Sequence, residues 1–298
     1  MRIEPASDSA AEGTGSIISE HLWPAPRTRK LTPGLPSPIA PRTVNRVESF
    51  RFADADGRRI ALRHQPGRSP TIVFLPGYAS DMEGTKADAV AAWAARRAQA
   101  FVRLDYSGCG RSEGAFCDGT LSRWTADAAA AIDACTRGPI VLVGSSMGGW
   151  IALLLALARP GQVTALVGVA PAPDFTRWGL VDTLTSDERA HLAKVGGFER
   201  ASAYSDTPTL YTRAFIDDGS HHLLMHRAID YRGPVRLLHG QHDADVPWQL
   251  SLDLAARLAS PDVQVALVKD GDHRLSRPTD LALLTATLEA LLSRCSAD

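Results

Sequence analysis

The fold can be interpreted outward from one segment, Ile140-Val-Leu-Val-Gly-Ser-Ser-Met-Gly-Gly-Trp150. Its pattern changes from that of a strand to that of a helix within a few residues. It opens with four β-branched or aliphatic residues, as a buried parallel strand does. Residues 144–148 then match the pattern G-x-S-x-G, and an apolar helical run follows as far as Pro160. A strand, a serine in a tight turn and a helix together predict a nucleophile elbow around Ser146.

The elbow predicts a role for each of its residues. Ser146 is the expected nucleophile, because the sharp turn projects its hydroxyl above the edge of the sheet. Gly144 and Gly148 supply the small neighbours that a close approach of strand and helix requires. The N–H of Met147, at the start of the helix, is expected to form half of an oxyanion hole. The alternative is a plain Gly-Ser turn, which the flanking strand and helix make less favourable.

Strands alternate with helices along the chain, and this predicts an α/β fold with a mostly parallel sheet flanked by helices on both faces. Residues 1–45 are rich in proline and predict an irregular arm, followed by one domain over 46–298. Predicted strands cover 46–52, 59–64, 71–75, 100–105, 139–143, 163–169, 234–239 and 263–268, and predicted helices cover 86–100, 121–136, 249–258 and 280–292. Residues 171–232 interrupt the alternation, so we expect a small helical cap there.

Composition excludes several classes of protein. The formal net charge of −1 gives no electrostatic case for a nucleic acid partner or an anionic membrane surface. Apolar runs fall short of the ~20 residues that span a bilayer, so integral membrane association is not expected. The four cysteines lack a C-x-x-C pair, which favours a reducing, cytoplasmic location over a disulfide framework. Acidic residues in the arm, among them Glu4 and Asp8, argue against a transit peptide.

A serine nucleophile needs a base, and the base needs an orienting acid. Ligands bind beyond the carboxyl ends of parallel strands, so both residues are expected in loops that follow strands. Asp243 follows the predicted strand ending at residue 239 and is the expected acid, with Asp245 as its substitute. His273 follows the last strand and is the expected base. His239, which flanks the acid, is expected to be structural, as is His242.

Other candidate residues lie in nearby loops. The N–H of Tyr78, after the strand ending at residue 75, is the expected second oxyanion donor. The Gly-rich loop 105–112 lacks the G-x-G-x-x-G fingerprint before a helix, so it predicts a scaffold turn, and Cys109 within it is not the expected nucleophile. A cluster of three histidines suggests metal, but without a familiar ligand set no metal and no cofactor is predicted. These histidines are His221, His222 and His226.

The predicted cap has an apolar side that either lines a pocket for an acyl group or packs the cap onto the core. Both interpretations stay open. The residues concerned are Phe175, Trp178, Leu180, Leu184, Tyr204, Leu210, Tyr211, Phe215, Leu223 and Leu224.

Several stretches together resemble the α/β-hydrolase superfamily and, within it, the acyl-protein thioesterases. They cover roughly residues 70–292 and comprise Pro76-Gly77-Tyr78, Gly84-Thr85-Lys86-Ala87, Asp105-Tyr106-Ser107-Gly108, residues 144–150, Arg236-Leu237-Leu238-His239-Gly240, Val246-Pro247-Trp248 and Asp272-His273-Arg274. The resemblance implies a triad of Ser146, Asp243 and His273, and an activity toward acylated proteins or acyl glucuronides. The cap differs most from the family pattern.

The sequence therefore predicts a serine hydrolase that cleaves carboxylic esters or thioesters through an acyl-enzyme. Its partner is a small-molecule ester or an acylated protein. A C–C bond hydrolase of the same fold is the rival enzyme, and a non-catalytic ligand-binding protein is the rival from another class. An intact Ser146, Asp243 and His273 argue against the binding protein.

Overall fold

A computed structural model describes residues 48–295, with side chains through residue 293. The predicted arm over 1–45 lies outside the described residues. Within the described part, an eight-stranded sheet has the strand order β1-β2-β4-β3-β5-β6-β9-β10. These strands are β1 (Ser49–Ala55), β2 (Arg58–Gln65), β3 (Arg68–Leu75), β4 (Gln99–Leu104), β5 (Ile140–Ser145), β6 (Val163–Val169), β9 (Val235–Gly240) and β10 (Val263–Val268).

The sheet is parallel from β4 through β10, while β1 and β2 form an antiparallel hairpin that joins it at β4. Because the parallel strands share one direction, their carboxyl ends meet at one edge. The loops after residues 75, 145, 240 and 268 therefore leave the sheet on the same side. Those are the loops that carry the predicted site residues.

Helices cover both faces of the sheet, as the alternation of elements predicts. Outside the cap they are α1 (Thr85–Arg97), α2 (Leu121–Cys135), α3 (Met147–Ala158), α6 (Gln249–Arg257) and α7 (Pro278–Cys295). In β3, Val73 and Leu75 pack with α2 and α3, whereas Ile72 and Phe74 pack with α1 and α7. Alternate side chains of this buried strand thus pack into two separate hydrophobic cores, one on each face of the sheet. No helix within 48–295 is both long enough and apolar enough to cross a membrane.

Residues 171–232 differ from the predicted helical cap by containing a small sheet. Helices α4 (Ser186–Val195) and α5 (Arg213–Ser220) accompany the antiparallel pair β7 (Gly197–Arg200) and β8 (Thr209–Thr212). Gly196 adopts the left-handed conformation, with φ of 82°, and ends α4. The Thr-Leu-Tyr-Thr sequence of β8 favours a strand, a preference that the apolar pattern alone did not reveal.

One buried carboxylate joins the two ends of the cap. Asp174, at a φ of 58°, accepts hydrogen bonds from the N–H groups of Leu224 and Met225, both at 2.8 Å. Burial raises the pKa of Asp174, and these two bonds oppose the rise. The entrance and exit of the cap are therefore held together at one point.

Candidate active site

Ser146 lies between β5 and α3 in a conformation that few non-glycine residues adopt, with φ of 53° and ψ of −120°. The neighbouring glycines make this turn possible. A Cβ on Gly144 would lie 2.3 Å from the carbonyl oxygen of Gly148, and one on Gly148 would lie 2.1 Å from that of Leu75. The predicted strand, strained turn and helix are thus all present.

The loops after β9 and β10 bring Asp243 and His273 together. His273 Nδ1 lies 2.8 Å from Asp243 Oδ2, although the two residues are 30 positions apart in the chain. The Asp243 side chain is fully buried, while His273 keeps 15% of its side chain exposed. A histidine oriented through Nδ1 presents Nε2 away from the acid, as a general base requires.

Four donors surround the Asp243 carboxylate. Oδ1 accepts the N–H groups of Asp245 and Val246, at 2.9 and 2.8 Å. Oδ2 faces His273 and also His239 Nε2, the latter at 3.1 Å. Burial favours the neutral acid, but hydrogen bonds from His239 and His273 outweigh it and hold the pKa of Asp243 well below its usual range. Asp243 therefore stays ionised at neutral pH.

Asp245, the alternative acid, occupies a different environment. Its side chain is exposed, and its Oδ2 accepts a short hydrogen bond from the Tyr204 hydroxyl of the cap. Arg274 lies over the Tyr204 ring at 5.4 Å, so the cap touches both loops of the acid and the histidine. The carboxylate that accepts the hydrogen bond of His273 is that of Asp243, not that of Asp245.

The loop after β3 lies against the elbow. A Cβ on Gly77 would sit 3.4 Å from Ser146 Cβ, which places the Pro76-Gly77-Tyr78 turn directly beside the serine. Met147 is the first residue of α3, so its N–H has no partner one turn earlier in the helix. The two predicted oxyanion donors thus belong to segments that flank Ser146.

The Tyr78 side chain joins the core to the cap. Its hydroxyl donates to the carbonyl of Leu210 at 2.6 Å, and burial raises its pKa well above the usual value. Its ring contacts five aromatic rings from both regions, those of Phe116, Trp124, Phe175, Tyr211 and Phe215. Much of the apolar side of the cap therefore packs onto the core, which favours the packing role for these residues.

The Gly-rich loop 105–112 is a scaffold turn. Asp105 is buried and accepts the N–H groups of Met82 and Arg111, at 2.7 and 2.8 Å. A Cβ on Gly110 would lie 2.3 Å from the Asp105 carboxylate, so the turn wraps tightly around that side chain. Burial raises the pKa of Cys109 to about 12, which leaves its thiol a poor nucleophile.

Three side chains at the site lie close enough together to be considered as metal ligands. Within the described range, Asp243, Asp245 and His273 form the one group of three whose ligand atoms all lie within 4.8 Å of one another. Their carboxylates already accept the hydrogen bonds given above, so a cation would have to displace protein donors. Of the three clustered histidines, His222 places Nε2 2.7 Å from Ser122 Oγ, which links the cap to α2.

Two residues contact the loops of Asp243 and His273 in ways that were not predicted from the sequence. Lys86, at the start of α1, donates to the carbonyl of Arg274 at 2.6 Å and so holds the loop that carries His273. His239, expected to be structural, touches the acid itself. A histidine in the buried strand β9 was the available signal, but the sequence does not show which way its side chain faces.

A strained serine between strand and helix, at the carboxyl edge of a mostly parallel sheet, defines the α/β-hydrolase class. A family model described as "Serine aminopeptidase, S33" matches residues 68–192. "Palmitoyl-protein thioesterase ABHD10, mitochondrial" of Mus musculus is 41% identical over 243 residues, covering 80% of each chain. This chain belongs to the ABHD10 family of α/β-hydrolases, as the resemblance predicted.

Solved structures agree with this assignment. A putative hydrolase from Agrobacterium vitis S4 has a TM-score of 0.78 and 42% identity, and the match covers 82% of this chain and 98% of the other. Mouse α/β-hydrolase domain-containing protein 10 has a TM-score of 0.77 and 38% identity, with 83% and 99% covered. The fold class predicted from the sequence is therefore confirmed.

Proposed function

We propose that this chain is a serine hydrolase of carboxylic esters and thioesters, with Ser146 as nucleophile, His273 as base and Asp243 as orienting acid. The observations that carry the proposal are the strained Ser146 turn and the hydrogen-bonded Asp243–His273 pair, which lie on loops at the one edge of the sheet where substrates of this fold bind. Membership of a hydrolase family supports the reaction class. A bound cofactor is not part of the proposed reaction.

In the proposed mechanism, Ser146 Oγ attacks the acyl carbonyl carbon while His273 takes its proton. The N–H groups of Tyr78 and Met147 stabilise the resulting oxyanion. As the tetrahedral intermediate collapses, the bond to the leaving group breaks, and His273 gives the proton to the thiolate or alkoxide. A water molecule, deprotonated by His273, then attacks the acyl-enzyme carbonyl. As this second intermediate collapses, the bond to Ser146 Oγ breaks, His273 returns the proton to that oxygen, and the carboxylic acid leaves.

We propose acylated proteins, with a thioester bond to a long chain, as the substrate class. The Mus musculus relative is named a palmitoyl-protein thioesterase, which supports this choice. The one triad serves oxygen esters as well, so the test must compare both bonds.

The test is hydrolysis of matched series of p-nitrophenyl esters, acyl-CoA and S-palmitoyl peptides from short to long chains. We expect turnover of long thioesters and loss of at least about a thousandfold in Ser146→Ala, since the nucleophile is removed. A fluorophosphonate probe should label the wild type and not the variant. Activity on short oxygen esters alone would indicate a general carboxylesterase. Labelling without hydrolysis of either series would favour a C–C hydrolase, and absence of labelling a binding protein.

The cellular compartment is a separate proposal. We propose a cytoplasmic location from the cysteine spacing and the acidic residues of the arm. The relative from Mus musculus carries "mitochondrial" in its name. Fractionation of cells that express the tagged full chain should recover it in the cytosolic fraction, and recovery within mitochondria would contradict the proposal.

A further inference from the structure

His239 is a fully buried histidine at the end of β9, and its ring bridges two polar side chains. Nε2 faces Asp243 Oδ2 and the carbonyl of Val246, each at 3.1 Å. Nδ1 lies 2.7 Å from Ser251 Oγ on α6. Neither the histidine nor the Asp243 side chain is exposed to solvent. Both ring nitrogens are thus used in the interior of the molecule.

The surroundings determine where the ring carries its proton. Nε2 faces two acceptors, a carboxylate oxygen and a carbonyl oxygen, so a lone pair there would be repelled by both. Nε2 must therefore bear the hydrogen. Ser251 can then donate its hydroxyl proton to the lone pair of Nδ1, which satisfies every polar atom with a neutral ring. The serine fixes the tautomer, and the tautomer directs a donor at Asp243.

We propose that His239 is a positioning residue for the proposed catalytic acid, held in its donor tautomer by Ser251. The inference rests on the proposed function, because it assigns a role through Asp243 and His273. Two histidines donate to the same oxygen, Oδ2, His239 from strand β9 and His273 from the loop after β10. His239 thereby fixes the rotation of the carboxylate and takes up part of its negative charge.

A consequence for pH dependence follows from this shared oxygen. Without the His239 donor, more charge stays on Oδ2, so His273 holds a proton more tightly and is inactive as a base up to a higher pH. Other groups near His273 are unchanged by such a substitution. They are Asp245 and Asp272 from the two loops, Arg274 beside it, Tyr204 from the cap with its ring centroid 6.4 Å away, and Lys86 from α1.

The test compares His239→Asn with His239→Gln. A Gln amide reaches the position of Nε2 and keeps a donor to Asp243, whereas the shorter Asn amide reaches only toward Ser251. We expect kcat/KM of H239N to fall about tenfold, the low end for a hydrogen bond to a charged group. The acid limb of its pH profile should move up by about half to one pH unit. H239Q should stay close to the wild type in kcat/KM and in the position of the acid limb.

When the folded fraction is the same across the pH range measured, the position of the acid limb does not depend on its size, so the limb separates positioning from simple loss of stability. The inference would be overturned if the acid limb of H239N lay at the same pH as that of the wild type. It would also be overturned if the acid limbs of H239N and H239Q were shifted equally from the wild type. If H239N does not fold, ¹⁵N NMR of the wild type decides. A proton on His239 Nε2 is expected, and a proton on Nδ1 alone would refute the inference. An inactive wild type would instead refute the proposed function.

Discussion

Lys86 is a half-buried cation whose Nζ supports the loop of the proposed base. Burial lowers its pKa to about 8, and the charge of Arg274 adds to the shift. In the unfolded chain the same amine titrates near its ordinary value of about 10.4. Between these two pH values the unfolded chain binds more protons, so Lys86 makes folding more favourable as pH rises from 8 to about 10.4.

We therefore expect the free energy of unfolding of the wild type to rise, relative to Lys86→Met, across that window. Chemical denaturation at pH 7.5, 9 and 10.5 measures the difference between the two proteins. The methionine retains most of the apolar stem and removes the titrating group. A difference that is flat with pH would show that Lys86 is ionised freely in the folded state.

The identity of Asp243 as the candidate acid could be predicted from the sequence, but one of its side-chain contacts could not. Chain order and position after a strand selected it ahead of Asp245, and the structure pairs it with His273. The contact with His239 could not be predicted, because β9 is buried on both faces and its pattern carries no alternation. Which way a polar side chain points in such a strand depends on register.

At the scale of elements, the crossing of α3 over β3 depends on a missing side chain. A Cβ on Gly148 would lie 2.1 Å from the carbonyl oxygen of Leu75, and backbone cannot move aside cheaply. We expect Gly148→Ala to lower the free energy of unfolding by about 3 kcal/mol or more, as overpacking and displaced backbone do. Denaturant titration measures this change.

Gly161 provides the matched control for this substitution. It lies in the turn between α3 and β6, and nothing lies within 4 Å of the position its Cβ would take. Gly161→Ala should leave stability unchanged or raise it by up to about 1 kcal/mol, because it restricts the unfolded chain. An equal decrease in the free energy of unfolding in the two variants would contradict the role assigned to Gly148.

Trp178 can distinguish the two interpretations of the apolar side of the cap, lining of an acyl site and packing onto the core. Trp178 lies in the first helical turn of the cap (Thr176–Leu180) and anchors its ring N–H to the carbonyl of Pro173 at 2.8 Å. If the cap lines the acyl site, Trp178→Ala should move the preferred acyl chain toward greater length. Rates across the thioester series measure the preference. An unchanged profile, with a uniform fall in rate, would assign Trp178 to packing alone.

For the whole molecule, the sequence predicted the regular part well and the inserted part poorly. Strands 163–169 and 263–268 have the predicted bounds, because each is a short apolar run between clear turns. The hairpin β7–β8 was missed, since its strands are four residues long and pack only partly. The predicted arm lies outside the described residues. Periodicity is informative where burial is regular, and the cap lacks that regularity.

The carboxylate of Asp174 that pins Leu224 and Met225 has a consequence for how this protein can diverge. The roughly fifty residues of the cap between them form a segment whose two ends are joined by these hydrogen bonds. Lengthening a closed loop is inexpensive, about 0.6 kcal/mol for each doubling, and the sheet beneath is not disturbed. The length and sequence of this segment can therefore change while the sheet, and the loops that carry the proposed catalytic residues, keep their places.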